Sequence, residues 1–220
     1  MRNKVYSAHV ARLPPAQRRD ATVGAALSVM LRKGMAATTV RDVADQMGTS
    51  SGLVHYYFAS MDDLVAAAFE RAASRELVPT LEAMARCDDA VQRLRTFFGT
   101  YVRAEQDWAF QLWLDAWSEA ARRPAVQETS QRLNVAWQRL LRDTVREGTT
   151  AGLLSSDDPD GAAWRILSML DGLALQTVAH AGAVDRGAVL RWSVQLAEHE
   201  LGLRAGTLRT AAPLPKVPTP

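Results

Sequence analysis

The stretch TTVRDVADQMGTSSGLVHYYF, residues 38–58, decides the fold of this chain. Gly48 lies near its middle and predicts the end of a first short helix, and a second short helix ends near Phe58. Two short helices joined by such a turn are typical of a helix-turn-helix. The apolar residues of the first helix share one face: Val40, Val43, Ala44 and Met47.

The second helix of the pair presents small residues first and polar aromatic residues later. Val54 and Phe58 are four residues apart and are expected to anchor it to the core. Small residues let a helix approach base edges in the major groove, and Tyr or His can donate to phosphates or bases. In the alternative interpretation, the tyrosines pack against neighbouring helices. The positions predicted to be exposed are Ser51, Gly52, Leu53, His55, Tyr56 and Tyr57.

Helical signals dominate the rest of the chain, and strand signals are weak throughout. A first helix is expected from Pro14-Pro15 to Gly34. Thr39 with Asp42, and Ser60 with Asp63, each fit a capping box. The second box starts a long helix that Pro79 should kink or break. Five further helices are predicted at about 88–105, 107–121, 125–148, 159–181 and 186–203.

Charge is unevenly distributed along the 220 residues, whose net charge is +2. Residues 1–60 carry eight Lys or Arg and three Asp, a net charge of +5, which leaves −3 for the remainder. A basic N-terminal part suggests a polyanionic partner, although chance asymmetry would give the same numbers.

Cys87 is the single cysteine, which excludes an internal disulfide. The sequence has neither a transmembrane run nor a signal peptide, so we expect a cytoplasmic protein without membrane contact.

Two other classes of function are weighed. A small helical enzyme lacks support, because the four histidines are scattered and the chain has neither a phosphate-cradling glycine loop nor a G-x-S-x-G motif. The sequence therefore predicts no catalytic residue, no metal site and no cofactor. A helical adaptor that binds protein through the same face is the other alternative. Salt-dependent binding to duplex DNA would distinguish the helix-turn-helix interpretation from it.

Residues 18–68 resemble the DNA-binding domain of TetR-type transcriptional regulators, and weaker similarity continues to about residue 200. In that second part Trp113, Gly148, Gly152 and Asp171-Gly172-Leu173 are similar to the betaine-inhibitor-like branch of the family. The motif residues that carry the first resemblance are Gly34, Thr39, Val43-Ala44, Gly48, Ser50, Gly52, Tyr56, Phe58 and Leu64.

The resemblance implies a sequence-specific transcriptional regulator, in the leading interpretation a repressor. It would bind a palindromic double-stranded operator as a homodimer and leave it when a small-molecule effector of unknown identity binds. The resemblance places a phosphate contact at Thr38 or Thr39, base or phosphate contacts at the start of the third helix and backbone or groove contacts later in it. The predicted DNA-binding residues are Thr38, Thr39, Thr49, Ser50, Ser51, Gly52, Leu53, His55, Tyr56 and Tyr57.

Two positions depart from the family pattern. His55 stands where a tyrosine is usual, and Met61 replaces the usual lysine that meets a phosphate. Loss of that charge should weaken non-specific affinity and lower its salt dependence by about one counterion. Arg2, Lys4 and Arg12 on an N-terminal arm are expected to compensate.

The predicted body is rich in aromatic residues. Phe110, Trp113 and Trp117 share one helix face, either as core or as the wall of an apolar ligand pocket. Tryptophans near a carboxylate can hold a cation, and the branch resemblance makes a quaternary amine such as choline conceivable. Asp171 interrupts an apolar run, so it either hydrogen-bonds a neighbour or the dimer mate or contacts ligand. The predicted ligand-binding residues are Trp108, Phe110, Trp113, Trp117, Trp137 and Asp171.

The sequence as a whole predicts an all-α fold of about nine helices, with a three-helix helix-turn-helix domain and a larger helical ligand-binding and dimerisation domain. The last two helices, at about 159–181 and 186–203, are apolar on more than one face. Self-association through them would form a four-helix interface. The domains are predicted at 1–13 (flexible basic arm), 14–60 (DNA-binding), 61–204 (ligand-binding and dimerisation) and 205–220 (disordered tail).

Overall fold

The computed structural model describes residues 14–101, 107–180 and 182–209 of the chain. Within these ranges the backbone forms nine α-helices and no β-strand, as the all-α prediction requires. The predicted basic arm, residues 1–13, lies outside the described residues. The helices are α1 (Pro15–Lys33), α2 (Val40–Met47), α3 (Ser51–Tyr57), α4 (Met61–Ala85), α5 (Ala90–Tyr101), α6 (Asp107–Ala120), α7 (Pro124–Thr150), α8 (Pro159–Ala179) and α9 (Arg186–Glu200).

Local sequence signals explain where the first helices begin and end. The predicted capping box at Thr39 is confirmed, because its hydroxyl accepts the Asp42 N–H and the Asp42 carboxylate accepts the Thr39 N–H. Gly48 ends α2 with φ of +64°, in the left-handed region that favours glycine. At the predicted second box, the Ser60 hydroxyl accepts the Asp63 N–H at 3.1 Å and donates to the Asp63 carboxylate at 2.7 Å. The short connections on either side of α3 are therefore set by nearby residues.

The sequence predicts that Pro79 kinks or breaks α4. The helix is not broken there and runs on to Ala85. Proline removes one helical N–H, and the Thr80 hydroxyl donates to the carbonyl of Glu76 at 2.8 Å in the same turn. The Thr80 hydroxyl also lies 3.3 Å from that of Thr100 in α5, so a tertiary contact supports the turn. Packing with α5 outweighs the local preference of proline in this helix.

The chain packs as two compact units. The first contains the described residues up to Arg75 together with Gln111–Leu133, and the second contains Glu76–Phe110 and the described residues from Asn134 onward. The boundaries between the two units fall inside α4, α6 and α7, and the domain boundary at residue 60 stays a prediction.

The first unit has an apolar core between α1, α2, α3 and the start of α4. Arg71 of α4 joins α1 at its edge by donating to both the carbonyl and the carboxylate of Asp20, at 3.0 and 2.9 Å. Burial of large apolar side chains is the main stabilising contribution to such a core. Its fully buried side chains include Met30, Met47, Val54, Leu64 and Phe69.

The second unit packs α5, part of α7, α8 and α9 around another apolar core. Its buried side chains include Leu94, Phe97, Phe98, Leu141 and Ile166. In the described ranges no helix has both the length and the apolar composition needed to cross a membrane.

The end of the described chain also belongs to this unit. The buried carboxylate of Glu198 accepts the N–H groups of Gly206 and Leu208, at 2.9 and 2.7 Å, and the Leu208 side chain is fully buried. The sequence predicts a disordered tail from residue 205, but a charge-assisted contact to α9 holds residues 206–208 in place. The proline-rich remainder, 210–220, lies outside the described residues.

Glu76 makes stability depend on pH. Its side chain is half-buried overall, but burial of the carboxyl group raises the pKa from 4.5 to about 7. Between these values the folded chain holds a proton that the unfolded chain has released, so the free energy of unfolding falls as pH rises from 4.5 to 7.

We therefore expect Glu76→Gln to be more stable than the wild type at pH 8, by about 1–3 kcal/mol, and nearly equal to it at pH 4.5. Urea unfolding at both pH values measures this difference. Glu82→Gln, at an exposed position of the same helix, is the matched control and should show no such change. A stability difference for Glu76→Gln that does not vary with pH would contradict the assignment.

Candidate nucleic-acid interface

One side of α3 is fixed in the core of the first unit. Val54 is 1% exposed and Phe58 is 4% exposed, which confirms both predicted anchors. The Arg19 guanidinium of α1 lies 4.7 Å from the centre of the Phe58 ring, a cation–π contact that covers the end of the helix. Because two side chains one turn apart are buried, the rotation of α3 about its axis is determined.

The opposite side of α3 is open. Tyr56 is 77% exposed, and its ring meets that of Tyr57 edge-on with centroids 4.9 Å apart. A Cβ at Gly52 would meet only the Ser50 hydroxyl oxygen, at 3.7 Å, so nothing else crowds the start of the helix. Leu53 and Tyr57 are half-buried. The exposed side chains are Ser50, Ser51, His55 and Tyr56, together with Gly52.

Tyr57 borders a groove rather than a packed interface. This groove has a volume of about 470 Å³ and lies among α3, α4 and α7 in the first unit. Charged and small side chains line most of it, including Ala66, Glu128 and Arg132. The alternative in which the tyrosines pack against neighbouring helices therefore does not describe Tyr56, whereas Tyr57 is half-buried at the edge of this groove.

The structure separates the roles of the two threonines at the start of α2. Thr38 is buried, and its hydroxyl donates to the carbonyl of Gly34 at 2.8 Å. Thr39 is exposed at the N-cap of α2. Of the two candidates, Thr39 is the one whose side chain faces water.

Asp42 is held as a carboxylate beside Thr39. The Lys33 ammonium at 2.7 Å and the Thr39 hydroxyl at 2.7 Å lower the pKa of Asp42 to about 2. The carboxylate therefore keeps its partners across the physiological pH range, and Lys33 offsets its negative charge next to the open face.

Arg41 is a functional candidate that sequence reasoning missed, because it counted only toward the net charge. Other cations nearby have partners: Lys33 pairs with Asp42, and Arg32 donates to the Gln46 amide oxygen at 2.9 Å. Arg41 is exposed on α2, two residues after Thr39, and makes no ion pair or hydrogen bond with any described residue. The sequence could have indicated this exposure, because Arg41 lies outside the apolar stripe of α2.

The two family departures lie at different places. His55 is exposed on α3, whereas Met61 is half-buried at the first position of α4. Asp62, next to Met61, pairs with Arg123 at 3.3 Å. The first turn of α4 therefore carries negative rather than positive charge, with Asp62 and Asp63.

The predicted ligand-binding residues are divided between the two units. In the first unit Trp113 and Trp117 are half-buried, with ring centroids 5.7 Å apart, and Trp113 meets the buried Phe69 edge-on at 4.9 Å. In the second unit Trp137 is buried and meets Phe97 at 6.0 Å. These contacts show aromatic clusters of the kind that both cores and pockets contain.

The remaining members of the predicted ligand set lie in the second unit. Trp108 is half-buried, and Phe110 is buried with the Arg186 guanidinium 5.9 Å from its ring centre. Asp171 is half-buried on α8. Arg165, on the same helix, donates to Glu200 at 2.8 Å and lies 3.6 Å from Asp158.

Known protein families match both the N-terminal and the C-terminal part of the chain. Residues 23–68 match the family of bacterial regulatory proteins of the tetR type, and residues 90–202 match the family described as BetI-type transcriptional repressor, C-terminal. The HTH-type transcriptional regulator BetI of Rhizobium meliloti (strain 1021) is 31% identical over 161 residues, which cover 72% of this chain and 77% of that protein. The HTH-type transcriptional repressor KstR2 of Mycolicibacterium smegmatis is 41% identical over 51 residues, which cover 23% of this chain and 25% of that protein.

Solved structures show the same fold. A transcriptional regulator from Saccharomonospora viridis in complex with choline superimposes with a TM-score of 0.76 at 21% identity, covering 84% of this chain and 98% of that one. A transcriptional regulator from Pseudomonas aeruginosa PAO1 gives a TM-score of 0.75 at 24% identity, covering 90% and 96%. The chain belongs to the TetR family of transcriptional regulators, with an N-terminal helix-turn-helix DNA-binding domain and a BetI-type C-terminal domain.

Proposed function

We propose that this regulator is a repressor that binds a palindromic operator as a homodimer and releases it when a small molecule binds. The observation that carries the proposal is that α3 has one buried side and one open side. Val54 and Phe58 are buried, whereas Gly52, His55 and Tyr56 are exposed. In helix-turn-helix proteins the second helix enters the major groove and the first crosses the backbone. A regulator that binds an operator in this way would act in the cytoplasm.

Roles in DNA binding follow the position of each side chain. We assign Thr39 to a phosphate because it is exposed, and Thr38 to supporting the turn because it is buried and its hydroxyl donates to Gly34. The Ser50 side chain makes no capping bond, so its hydroxyl is available to DNA. The remaining proposed contacts are Thr49, Ser51, Gly52, Leu53, His55, Tyr56 and Tyr57.

A homodimer through α8 and α9 is supported by large apolar side chains that the single chain leaves exposed. Trp164 and Met169 on α8 are each 36% exposed, and Trp192 on α9 is 43% exposed. A Cβ added at Gly172, on α8, would meet no atom within 4 Å, so a second helix could approach closely there. Two such helices from each chain would form a four-helix interface.

The effector is proposed to bind near the aromatic residues predicted from the sequence. The choline complex of the Saccharomonospora viridis protein supports quaternary amines as the first class to test. Aromatic faces attract such cations, and Trp108, Phe110 and Trp137 supply them in the second unit. Release of the operator requires that the ligand bind the non-binding state more tightly than the DNA-bound one.

The operator is obtained by selection from a randomised duplex pool with the wild-type chain. Gly52→Asp and Tyr57→Ala should each weaken binding to it at least about tenfold, the first by repelling phosphates and the second by removing a contact. Fluorescence anisotropy measures the change. Ala205→Asp, at an exposed turn of the second unit, is the charge-matched control. Full retention of binding by both variants would refute the α3 assignment.

Salt dependence tests the phosphate contacts. Arg41→Gln should lower the slope of log affinity against log salt by about one, because one counterion fewer is released. Deletion of residues 1–13, which removes Arg2, Lys4 and Arg12, should lower it by up to about three. Arg139→Gln, at an exposed position of α7, should leave the slope unchanged. A wild-type slope in Arg41→Gln would exclude Arg41 from the interface.

The dimer is tested by placing charge on its proposed surface. Met169→Glu and Trp192→Glu should each yield monomers of 24.1 kDa on light scattering, because a carboxylate would be buried without a partner. Leu153→Glu changes a similarly exposed leucine outside these helices and should leave the dimer intact. Dimers of both variants at micromolar concentration would place the interface elsewhere.

A further inference from the structure

A row of polar side chains on α6 and in the turn after it contacts the chain on both sides of the helix-turn-helix formed by α2 and α3, which we call the reading unit. Gln111, Asp115, Glu119 and Arg123 are spaced four residues apart, so they lie along one face of α6 and the turn after it; we call them the ridge. All four belong to the first unit, with the helix-turn-helix. The ridge is distinct from Trp113 and Trp117, which pack among aromatic side chains.

Asp115 uses both carboxylate oxygens. Its Oδ2 accepts the backbone N–H of Met35 at 3.1 Å, and its Oδ1 accepts the side-chain amide of Gln111 at 2.9 Å. Asp115 is half-buried and Met35 is fully buried, so water competes weakly for the Met35 bond. A hydrogen bond to a carboxylate is stronger than one between neutral groups. Asp115 is thus fixed in orientation and holds the backbone 80 residues earlier in the chain.

The backbone that Asp115 holds is the turn that starts the reading unit. Gly34 has φ of +81°, and a Cβ there would lie 3.4 Å from Asp115 Oδ2. The Gly34 carbonyl accepts the Thr38 hydroxyl, and the Met35 carbonyl accepts the Thr38 N–H at 3.3 Å. Thr39, the next residue, is the N-cap of α2. The Met35 contact therefore holds the turn that leads into α2, whose first residue is set by the capping box at Thr39.

The other end of the ridge holds the start of α4. The buried Glu119 carboxylate accepts Arg122 at 2.7 Å and Arg123 at 2.8 Å, and the hydrogen bond from Arg122 is the main cause of its lowered pKa. Arg123 also reaches Asp62 at 3.3 Å, in the first turn of α4. The turn before α2 is thus attached to α6, and the start of α4 is attached to the turn that follows α6.

We infer that the ridge positions the reading unit for operator recognition, with Asp115 as a positioning residue that fixes the 34–38 turn through the Met35 N–H. This inference rests on the proposed function. Base contacts need the recognition helix in one register, whereas phosphate contacts tolerate displacement because they depend mainly on charge. Loosening the turn should therefore reduce the preference for operator more than it reduces binding to unrelated duplex.

The test compares Asp115→Ala with Asp115→Asn. Asn keeps a side-chain oxygen that can accept the Met35 N–H, and Ala does not. Asp143→Ala removes the carboxylate of the Arg142–Asp143 ion pair on α7 and controls for net charge. Affinities for the selected operator and for an unrelated duplex are measured by anisotropy. Hydrogen exchange of the peptide containing residues 35–39 reports the turn directly, and thermal unfolding reports stability.

Asp115→Ala should lower operator affinity about tenfold, change affinity for unrelated duplex less than about twofold and accelerate exchange at Met35. Asp115→Asn should restore most of the operator preference. The inference is overturned if Asp115→Ala keeps the wild-type preference, if Asp115→Asn loses as much as Asp115→Ala or if exchange at Met35 is unchanged. A wild-type chain without operator preference would instead refute the proposed function, and this inference with it.

Discussion

The burial of Val54 and Phe58 is the constraint on which the reading surface depends. With one turn between them, these two side chains leave α3 a single rotation about its axis, and Arg19 covers the end of the helix from α1. Truncating a buried phenylalanine typically costs about 3–5 kcal/mol, so a rotation of α3 that exposes Phe58 is strongly disfavoured. The open face with Gly52 and Tyr56 follows from this packing, because a seven-residue helix has no other way to hide its apolar side.

Electrostatics then divides the cations of the reading unit into two groups. Lys33 and Arg32 are occupied within the protein, and Asp42 is neutralised by its lysine partner. Arg41 is left exposed beside Thr39. The Lys33–Asp42 pair carries no net charge, whereas Arg41 and Arg32, whose partner is a neutral amide, keep theirs and can attract a polyanion.

Helix α6 carries both aromatic residues that pack together and a polar residue that contacts the helix-turn-helix part of the chain. Helix α6 holds Trp113 and Trp117 among aromatic neighbours and Asp115 against the turn of the reading unit. The two roles use different faces of one helix, so a displacement of that helix would move both sets of contacts together. Coupling of this kind needs only a rigid element with two attachment points.

The sequence by itself determined what depends on residues within about four positions of one another. The capping box at Thr39 and the end of α2 at Gly48 are local, and their side chains and backbone fix them without help from elsewhere. The bond from Asp115 to Met35, the continuation of α4 through Pro79 and the capture of Leu208 by Glu198 were decided only by the tertiary structure. These features join segments distant in the chain or replace a local preference by packing, and periodicity and spacing carry no information about such pairs.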